Sequence, residues 1–257
     1  MESVREKVVC ITGASSGIGA ACAEAFAREG SALILFARRR DRLTSLAARL
    51  TKQHGVRAFT QQLDVRNREE VAHCFSSLPK EWSSIDILVN NAGLSRGLDK
   101  IQEALIDDWE EMIDTNVKGL LYVTRAVVPA MVARNSGHVI NIGSIAGHQV
   151  YIAGNVYCAS KHAVHALTQG LKLDLLGTDV RVSTVDPGLV ETEFSEVRFH
   201  GDKARAAKTY ANTRPLTPAD VAEVVVFCAT RPLHVTLAEA IVLPTDQASV
   251  HHVHRTA

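Results

Sequence analysis

The amino-acid sequence predicts an α/β fold: a single doubly wound parallel sheet of about seven strands with helices on both faces. Three observations carry that prediction. Short apolar runs alternate with longer helix-patterned segments along the chain, as strand–helix–strand units require. The runs are continuous, with no polar residue at every second position, which marks strands covered on both faces. The first run ends in a glycine-rich turn that opens a helix.

The elements follow in order. Val8 to Thr12 is a buried-strand run, and a helical pattern spans Ile18 to Arg28. Ala32 to Phe36 reads as the second strand, followed by a charged helix through Leu43, Leu46 and Leu50. Val56 to Leu63 reads as the third, ending at Asp64, with a helix through Val71 and Phe75 after it. Ile85 to Val89 is the fourth, Val139 to Ile142 the fifth, Val180 to Val185 the sixth and Ala238 to Leu243 the seventh. No Pro/Ser-rich linker divides the chain, so residues 1–257 read as one domain. The mostly polar stretch near 191–218 reads as an insertion covering the site.

Composition narrows the function. With 257 residues, 46% of them hydrophobic, the chain can bury a core without a disulfide or metal. Lys plus Arg and Asp plus Glu are both 28; a nucleic-acid binder would carry a basic excess, so none is expected. Five cysteines, an odd number with no C-x-x-C pair, predict reduced thiols and a cytoplasmic setting. The first residues mix acids and bases and lack a signal-peptide core. The longest uncharged stretch, between Arg134 and Lys161, is broken by Asn, Ser, His and Gly, so no membrane partner is expected.

After the first strand the chain reads Thr12-Gly13-Ala14-Ser15-Ser16-Gly17-Ile18-Gly19. Glycines here permit a tight turn and let the main chain approach a pyrophosphate. The helix that follows offers free N–H groups and a positive dipole end. Such spacing also occurs in ordinary turns; the end of the second strand sharpens it. Where an acidic residue usually receives the adenosine ribose, this chain has Ala37, then Arg38, Arg39 and Arg40. A carboxylate would repel a 2′-phosphate, whereas guanidinium grips one bidentately. The predicted cofactor is NADP(H).

Ser144 stands just beyond the fifth strand, and Tyr157-Cys158-Ala159-Ser160-Lys161 comes thirteen residues later. On a helix Tyr157 and Lys161 share a face, and an ammonium beside a phenol is expected to lower the phenol's pKa toward working pH. Cys158, one position on, points about 100° away and reads as a small buried filler.

Together these elements resemble the short-chain dehydrogenase/reductase family. The Thr12 to Gly19 turn, Asp64-Val65, Asn90-Asn91-Ala92-Gly93, Asn116, Ser144, Tyr157, Lys161 and Pro187-Gly188 run in family order over nearly the whole chain. The resemblance implies a Rossmann-type domain with Tyr157 as general acid/base and Ser144 as donor to the substrate oxygen. Lys161 would serve the nicotinamide ribose and Tyr157, and Asn116 would anchor a proton-relay water. Asp64 with Val65 would meet adenine, Asn91 with Ala92 and Gly93 the ribose region, and Pro187 through Thr192, including Gly188 and Val190, the nicotinamide.

Asp114 to Gly119, Pro187 to Ser195, Val197 to Gly201 and the tail Gln247 to Arg255 are similar to the NADP-dependent 3-hydroxy acid dehydrogenases of that family. This implies a small anionic hydroxy acid or its aldehyde, of the serine, allo-threonine or 3-hydroxypropionate/malonic semialdehyde class. It also implies a homotetramer, paired through the Tyr157 helix and the helix from Asp114 toward Val132. A buried carboxylate needs a cation; Arg198 in the insertion is the candidate, with Tyr151 lining the pocket and Arg255 and its histidine neighbours closing it, from the same chain or from a partner subunit. The bland reading of Arg198 is a loop salt bridge. The alternatives are an NADPH-dependent sulfoacetaldehyde or broad carbonyl reductase, and a non-catalytic NADP(H)-sensing protein. His251, His252 and His254 lack an accompanying Cys or carboxylate set, so no metal is expected.

Overall fold

The computed structural model describes residues 2–256; Met1 and Ala257 lie outside the described residues. Seven strands, β1 (Val8–Thr12), β2 (Ala32–Ala37), β3 (Ala58–Gln62), β4 (Ile87–Asn90), β5 (Gly137–Ile142), β6 (Val180–Pro187) and β7 (Glu239–Val242), form one sheet in the order β3-β2-β1-β4-β5-β6-β7. Every pairing is parallel. The helices in chain order are α1 (Gly17–Arg28), α2 (Arg40–His54), α3 (Arg68–Ser76), α4 (Ile106–Ile113), α5 (Leu120–Ala133), α6 (Asn155–Asp174), α7 (Phe194–Arg198), α8 (Lys203–Tyr210) and α9 (Pro218–Ala229).

Strand parity divides the apolar residues between two cores. Val9, Ile11, Leu33 and Leu35 pack with Phe26 of α1, Leu43 of α2 and Val225 of α9. Val8, Cys10, Ile34 and Phe36 pack against Val71 of α3 and Val127 and Met131 of α5. The two edge strands depart from the expected pattern: β3 is only half-buried, and β7 alternates exposed and half-buried residues. An edge lacks a neighbour on one side, so Gln61, Gln62 and Glu239 are tolerated there.

The helix expected from Asp114 toward Val132 begins earlier. It starts as α4 at Ile106, widens into a π turn over Asp114–Gly119 and continues as α5. The π turn lies hard against the chain after β3, since a Cβ on Gly119 would stand 2.6 Å from Val65 Cγ2. Residues 191–218 hold α7 and α8. The ends of this stretch are joined where Glu191 N–H donates to the Leu216 carbonyl at 2.9 Å and Leu216 N–H to that of Leu189 at 2.9 Å.

Sheet order reverses between β1 and β4, which opens a crevice at their carboxyl ends. There the turn into α1 packs on the segment after β4. A Cβ on Gly19 would lie 2.4 Å from the Gly13 carbonyl oxygen and 2.5 Å from Asn91 Nδ2. Replacing a helical glycine by alanine ordinarily stabilises by about 1 kcal/mol. Here the sign reverses: Gly19→Ala is expected to cost about 1–3 kcal/mol through overpacking, read as a lower urea midpoint. An unchanged or raised midpoint would show that the turn has room to spare.

Candidate active site

A cavity of about 530 Å³ lies over the carboxyl ends of the strands. Every residue predicted for cofactor, substrate or chemistry lines it except Gly19, Asn116 and Arg255. Gly19 sits beneath the turn, where only a hydrogen fits.

The turn is held from behind. Asn91 Nδ2 donates to the carbonyls of Thr12 and Gly13 at 3.0 and 3.2 Å, while Thr12 Oγ1 accepts from Asn91 N–H and Ala92 N–H, both at 3.1 Å. Gly13 has φ +66°, and a Cβ on it would meet Ala92 Cα at 2.9 Å. Gly17, at φ +53°, opens α1 close to Thr192. The result is a cradle with its carbonyls engaged inward and a helix start facing the cavity.

Arg39 reaches across this cradle. It donates to Ser15 Oγ at 3.2 Å, to Ser16 Oγ, and to Glu193 at 2.8 Å. Arg42 pairs with the other Glu193 oxygen, and the two guanidinium groups hold that carboxyl below its ordinary range. Arg38 lies 3.6 Å from Glu111. Asp64 is gripped by Arg66, whose Nε stands 3.0 Å from both carboxylate oxygens. The phosphate end thus contains two residues that the sequence reading left out, Arg42 and Glu193. Arg42 could have been found one helical turn beyond Arg39.

Ser144 stands at φ −173°, an extended residue between β5 and a short 3₁₀ turn at Ile145–Gly147. Its hydroxyl accepts from Ala146 N–H at 3.1 Å, leaving the proton only a long contact to the Pro187 carbonyl at 3.5 Å. Tyr157 and Lys161 rise from α6, both buried. Lys161 Nζ donates to the Ile142 carbonyl at 2.9 Å. Burial pushes its ammonium down to about 8, with Asp186 opposing the shift.

The expected lowering of the Tyr157 pKa does not appear. Burial raises it well above 10, as does Tyr151, and these outweigh the pull of Arg198 and the Ser144 hydroxyl toward phenolate. Asn116 lies beside the cavity, tied to its neighbours. Its side-chain amide is spent, accepting from Leu94 N–H at 2.8 Å and donating to the Leu94 carbonyl at 2.8 Å and Ser160 Oγ at 3.0 Å. A water anchored at this residue would be held by the main chain of the π turn.

Arg198, on α7, projects into the cavity beside Tyr157. Its Nε donates to Ser95 Oγ at 3.0 Å and Nη2 to Tyr151 Oη at 2.8 Å. Its guanidinium carbon lies 5.2 Å from the centre of the Tyr157 ring and 5.3 Å from that of Phe194. The loop salt bridge weighed against it is not formed: its side-chain partners among the described residues are a serine and a tyrosine. No role was foreseen for Ser95, which no local motif marks, or for Phe194, although it lies within the Pro187 to Ser195 stretch. Arg255 turns away, donating to the carbonyls of Thr209 and Ala211. Of the tail histidines, His252 bonds Ser249 Oγ at 2.9 Å. Cys158 is fully buried.

A glycine cradle, a buried Tyr–Lys pair and a strand-end serine at one switch point define a dinucleotide-dependent oxidoreductase site. The chain belongs to the short chain dehydrogenase family, whose pattern it matches over residues 7–203. The NADP-dependent 3-hydroxy acid dehydrogenase of Salmonella typhi is 49% identical, over 95% of this chain and 99% of its own. An NADP-dependent 3-hydroxy acid dehydrogenase of Schizosaccharomyces pombe is 44% identical over 99% of each. The solved closed form of a serine dehydrogenase complexed with NADP+ is 48% identical, covers 97% of this chain and 100% of its own, and superposes with a TM-score of 0.91. Among the described residues, no helix is long and apolar enough to cross a membrane.

The buried Lys161 yields a pH test. Its folded-state pKa, about 8, lies below the ordinary 10.5. Below pH 8 both states carry the proton and the full cost of burying the charge is present. Between 8 and 10.5 only the unfolded chain holds it, so this contribution to stability rises with pH. Lys161→Met should therefore melt higher than the parent at pH 7, with the gap closing toward pH 10. A gap that does not vary with pH would mean that Lys161 titrates normally.

Proposed function

We propose that this chain is an NADP(H)-dependent oxidoreductase interconverting a small 3-hydroxy acid and its carbonyl form. The observation that carries the reading is Arg198, a cation with no carboxylate partner among the described residues, beside the buried Tyr157. The names of the relatives support the same substrate class. Residues 1–257 would act as one catalytic unit, with 191–218 covering the substrate.

The cradle fits the cofactor: Gly13, without a Cβ, lets the turn lie against Ala92, and Arg39 lies across Ser15 and Ser16 with Ala37, not a carboxylate, ending β2. Gly13 through Ile18 would hold the phosphates, Arg39 and Arg38 the 2′-phosphate, and Asp64 and Val65 the adenine. Asn91 to Gly93 and Lys161 would serve the ribose, and Pro187, Gly188, Val190 and Thr192 the nicotinamide. When bound, NADP(H) supplies or accepts the hydride.

Tyr157 gives its proton to the substrate oxygen in reduction and recovers it in oxidation. Burial keeps the phenol protonated, which suits a donor at neutral pH. The Ser144 hydroxyl, steadied by Ala146 N–H, donates a second hydrogen bond where negative charge develops. Arg198 offers its planar fork to the carboxylate, with Ser95 and Tyr151 fixing its plane. A homotetramer is supported by exposed Leu121 and Val132 on α5 and Leu173 on α6. Five buried free thiols accord with a cytoplasmic setting.

Two measurements test this reading. Tyr157→Phe keeps the ring and removes the proton, so turnover should fall about 100- to 10,000-fold, with NADPH binding retained in a fluorescence titration; near-normal turnover would reject the role. Arg198→Ala should lower kcat/KM for malonic semialdehyde roughly 10- to 100-fold, the worth of a charge-assisted bond of about 1.5–3 kcal/mol. An uncharged aldehyde of similar size should lose much less. Equal losses on both would make Arg198 structural and favour a broad carbonyl reductase.

A further inference from the structure

We propose that His148, His165, Asp186 and Glu239 form a site for one divalent transition-metal ion of the zinc class, set behind the catalytic loop. One ligand atom from each of the four lies within 4.8 Å of the others. His148 Nε2 is 2.9 Å from Asp186 Oδ2, and His148 Nδ1 and His165 Nδ1 are each 3.6 Å from a Glu239 oxygen. Ligands about 2.0–2.2 Å from a tetrahedral ion stand roughly 3.3–3.6 Å apart; the two His148 contacts use different ring nitrogens, so the ion would take one of them and draw the set in from 4.8 Å by side-chain rotation. The two imidazole rings meet at 76° with centres 4.6 Å apart.

A second observation points the same way. His165 Nδ1 is buried and has no hydrogen-bond partner among the described residues, although it faces Glu239. Its other nitrogen, Nε2, lies 2.8 Å from the Gln169 amide. The Gln169 amide turns its nitrogen toward Nε2, which puts the ring proton on Nδ1 facing Glu239; an ion at Nδ1 would displace that proton, with the amide turned over so that its oxygen accepts from Nε2–H. Asp186 is oriented likewise: Thr184 Oγ1 donates to Oδ1 at 2.7 Å and leaves Oδ2 to the cluster. Two neutral imidazoles and two carboxylates exactly balance a divalent charge, and four protein donors make the closed set of a structural site.

The position gives the ion a purpose. None of the four residues lines the 530 Å³ cavity, so the ion has no access to substrate. His148 ends the 3₁₀ turn that Ser144 begins, and His165 lies one helical turn beyond Lys161 on α6. Asp186 precedes Pro187 at the end of β6, and Glu239 is on the edge strand β7. One ion would tie the loop of Ser144 and the helix of Tyr157 and Lys161 to the sheet edge.

The test is metal binding, read apart from turnover. Chelator-stripped protein is titrated with Zn²⁺ against a chromophoric chelator, and melting is followed with and without Zn²⁺. The expected result is one ion per chain with a submicromolar Kd and a raised melting midpoint. His165→Ala and Glu239→Gln, both at partly exposed positions, should each weaken binding at least tenfold and abolish the thermal shift. The double variant His251→Ala/His252→Ala should bind as the parent does. Absence of submicromolar binding, binding that survives both cluster variants, or binding lost in the tail variant would overturn the proposal. The readout stands whether or not the substrate assignment does.

Discussion

Thr12 and Asn91 exchange hydrogen bonds across the switch point of the sheet, and the rest of the site depends on that exchange. The Asn91 side chain engages the carbonyls of Thr12 and Gly13, while the Thr12 hydroxyl receives the N–H groups of Asn91 and Ala92. Carbonyl oxygens left free here would face an arriving phosphate and repel it. Satisfying them from behind turns the start of α1 into a uniformly donating surface. The same lock fixes the segment from Asn91 to Leu94, and Leu94 in turn holds the Asn116 side chain in the π turn. From Asn116 the chain of bonds passes to Ser160 on the helix of Tyr157. The cofactor end and the chemical end are therefore positioned by one continuous polar network.

Cations dominate the other half of the cavity. Lys161 and Arg198 flank the Tyr157 ring region, one buried and the other stacked on aromatic faces. The charge of Arg198 favours phenolate, but burial of the phenol outweighs it. Dehydration therefore sets the resting proton inventory: a protonated tyrosine and a lysine near its titration point. An anionic substrate held at Arg198, as proposed, would change that balance, because its carboxylate would offset the guanidinium that otherwise pulls the phenol toward ionisation.

What could be read from the sequence was whatever short-range geometry determines. The seven strands, the glycine turn and the Tyr157–Lys161 pair each rest on spacings of a few residues, and each is found in the structure. Edge strands were misjudged because burial on both faces is a property of the whole sheet, which Ala58–Gln62 does not reveal alone. The Tyr157 pKa was misjudged because desolvation depends on everything packed around the ring. Ser95 meeting Arg198, and His148 meeting Asp186, bring together residues 103 and 38 positions apart. No local pattern encodes such pairs; they exist only once strand order is set.

The insertion is clamped to the frame of the fold yet carries the candidate specificity residue of this chain. Its ends are clamped to one another by the main-chain bonds between Glu191 and Leu216 and between Leu216 and Leu189, so what lies between can change without moving β6. Yet its first helix is tied back to the frame at two places. Glu193 binds Arg39 and Arg42 at the phosphate end, and Arg198 binds Ser95 and Tyr151 at the chemical end. A 2′-phosphate gripped by Arg39 would compete with Glu193 for the same donors. The two ends of this five-residue helix would therefore meet both proposed ligands: cofactor at the Glu193 cap and substrate anion at Arg198. Selectivity built on such a helix is read out by charge at each end, while the Ser144, Tyr157 and Lys161 geometry stays with the sheet and α6.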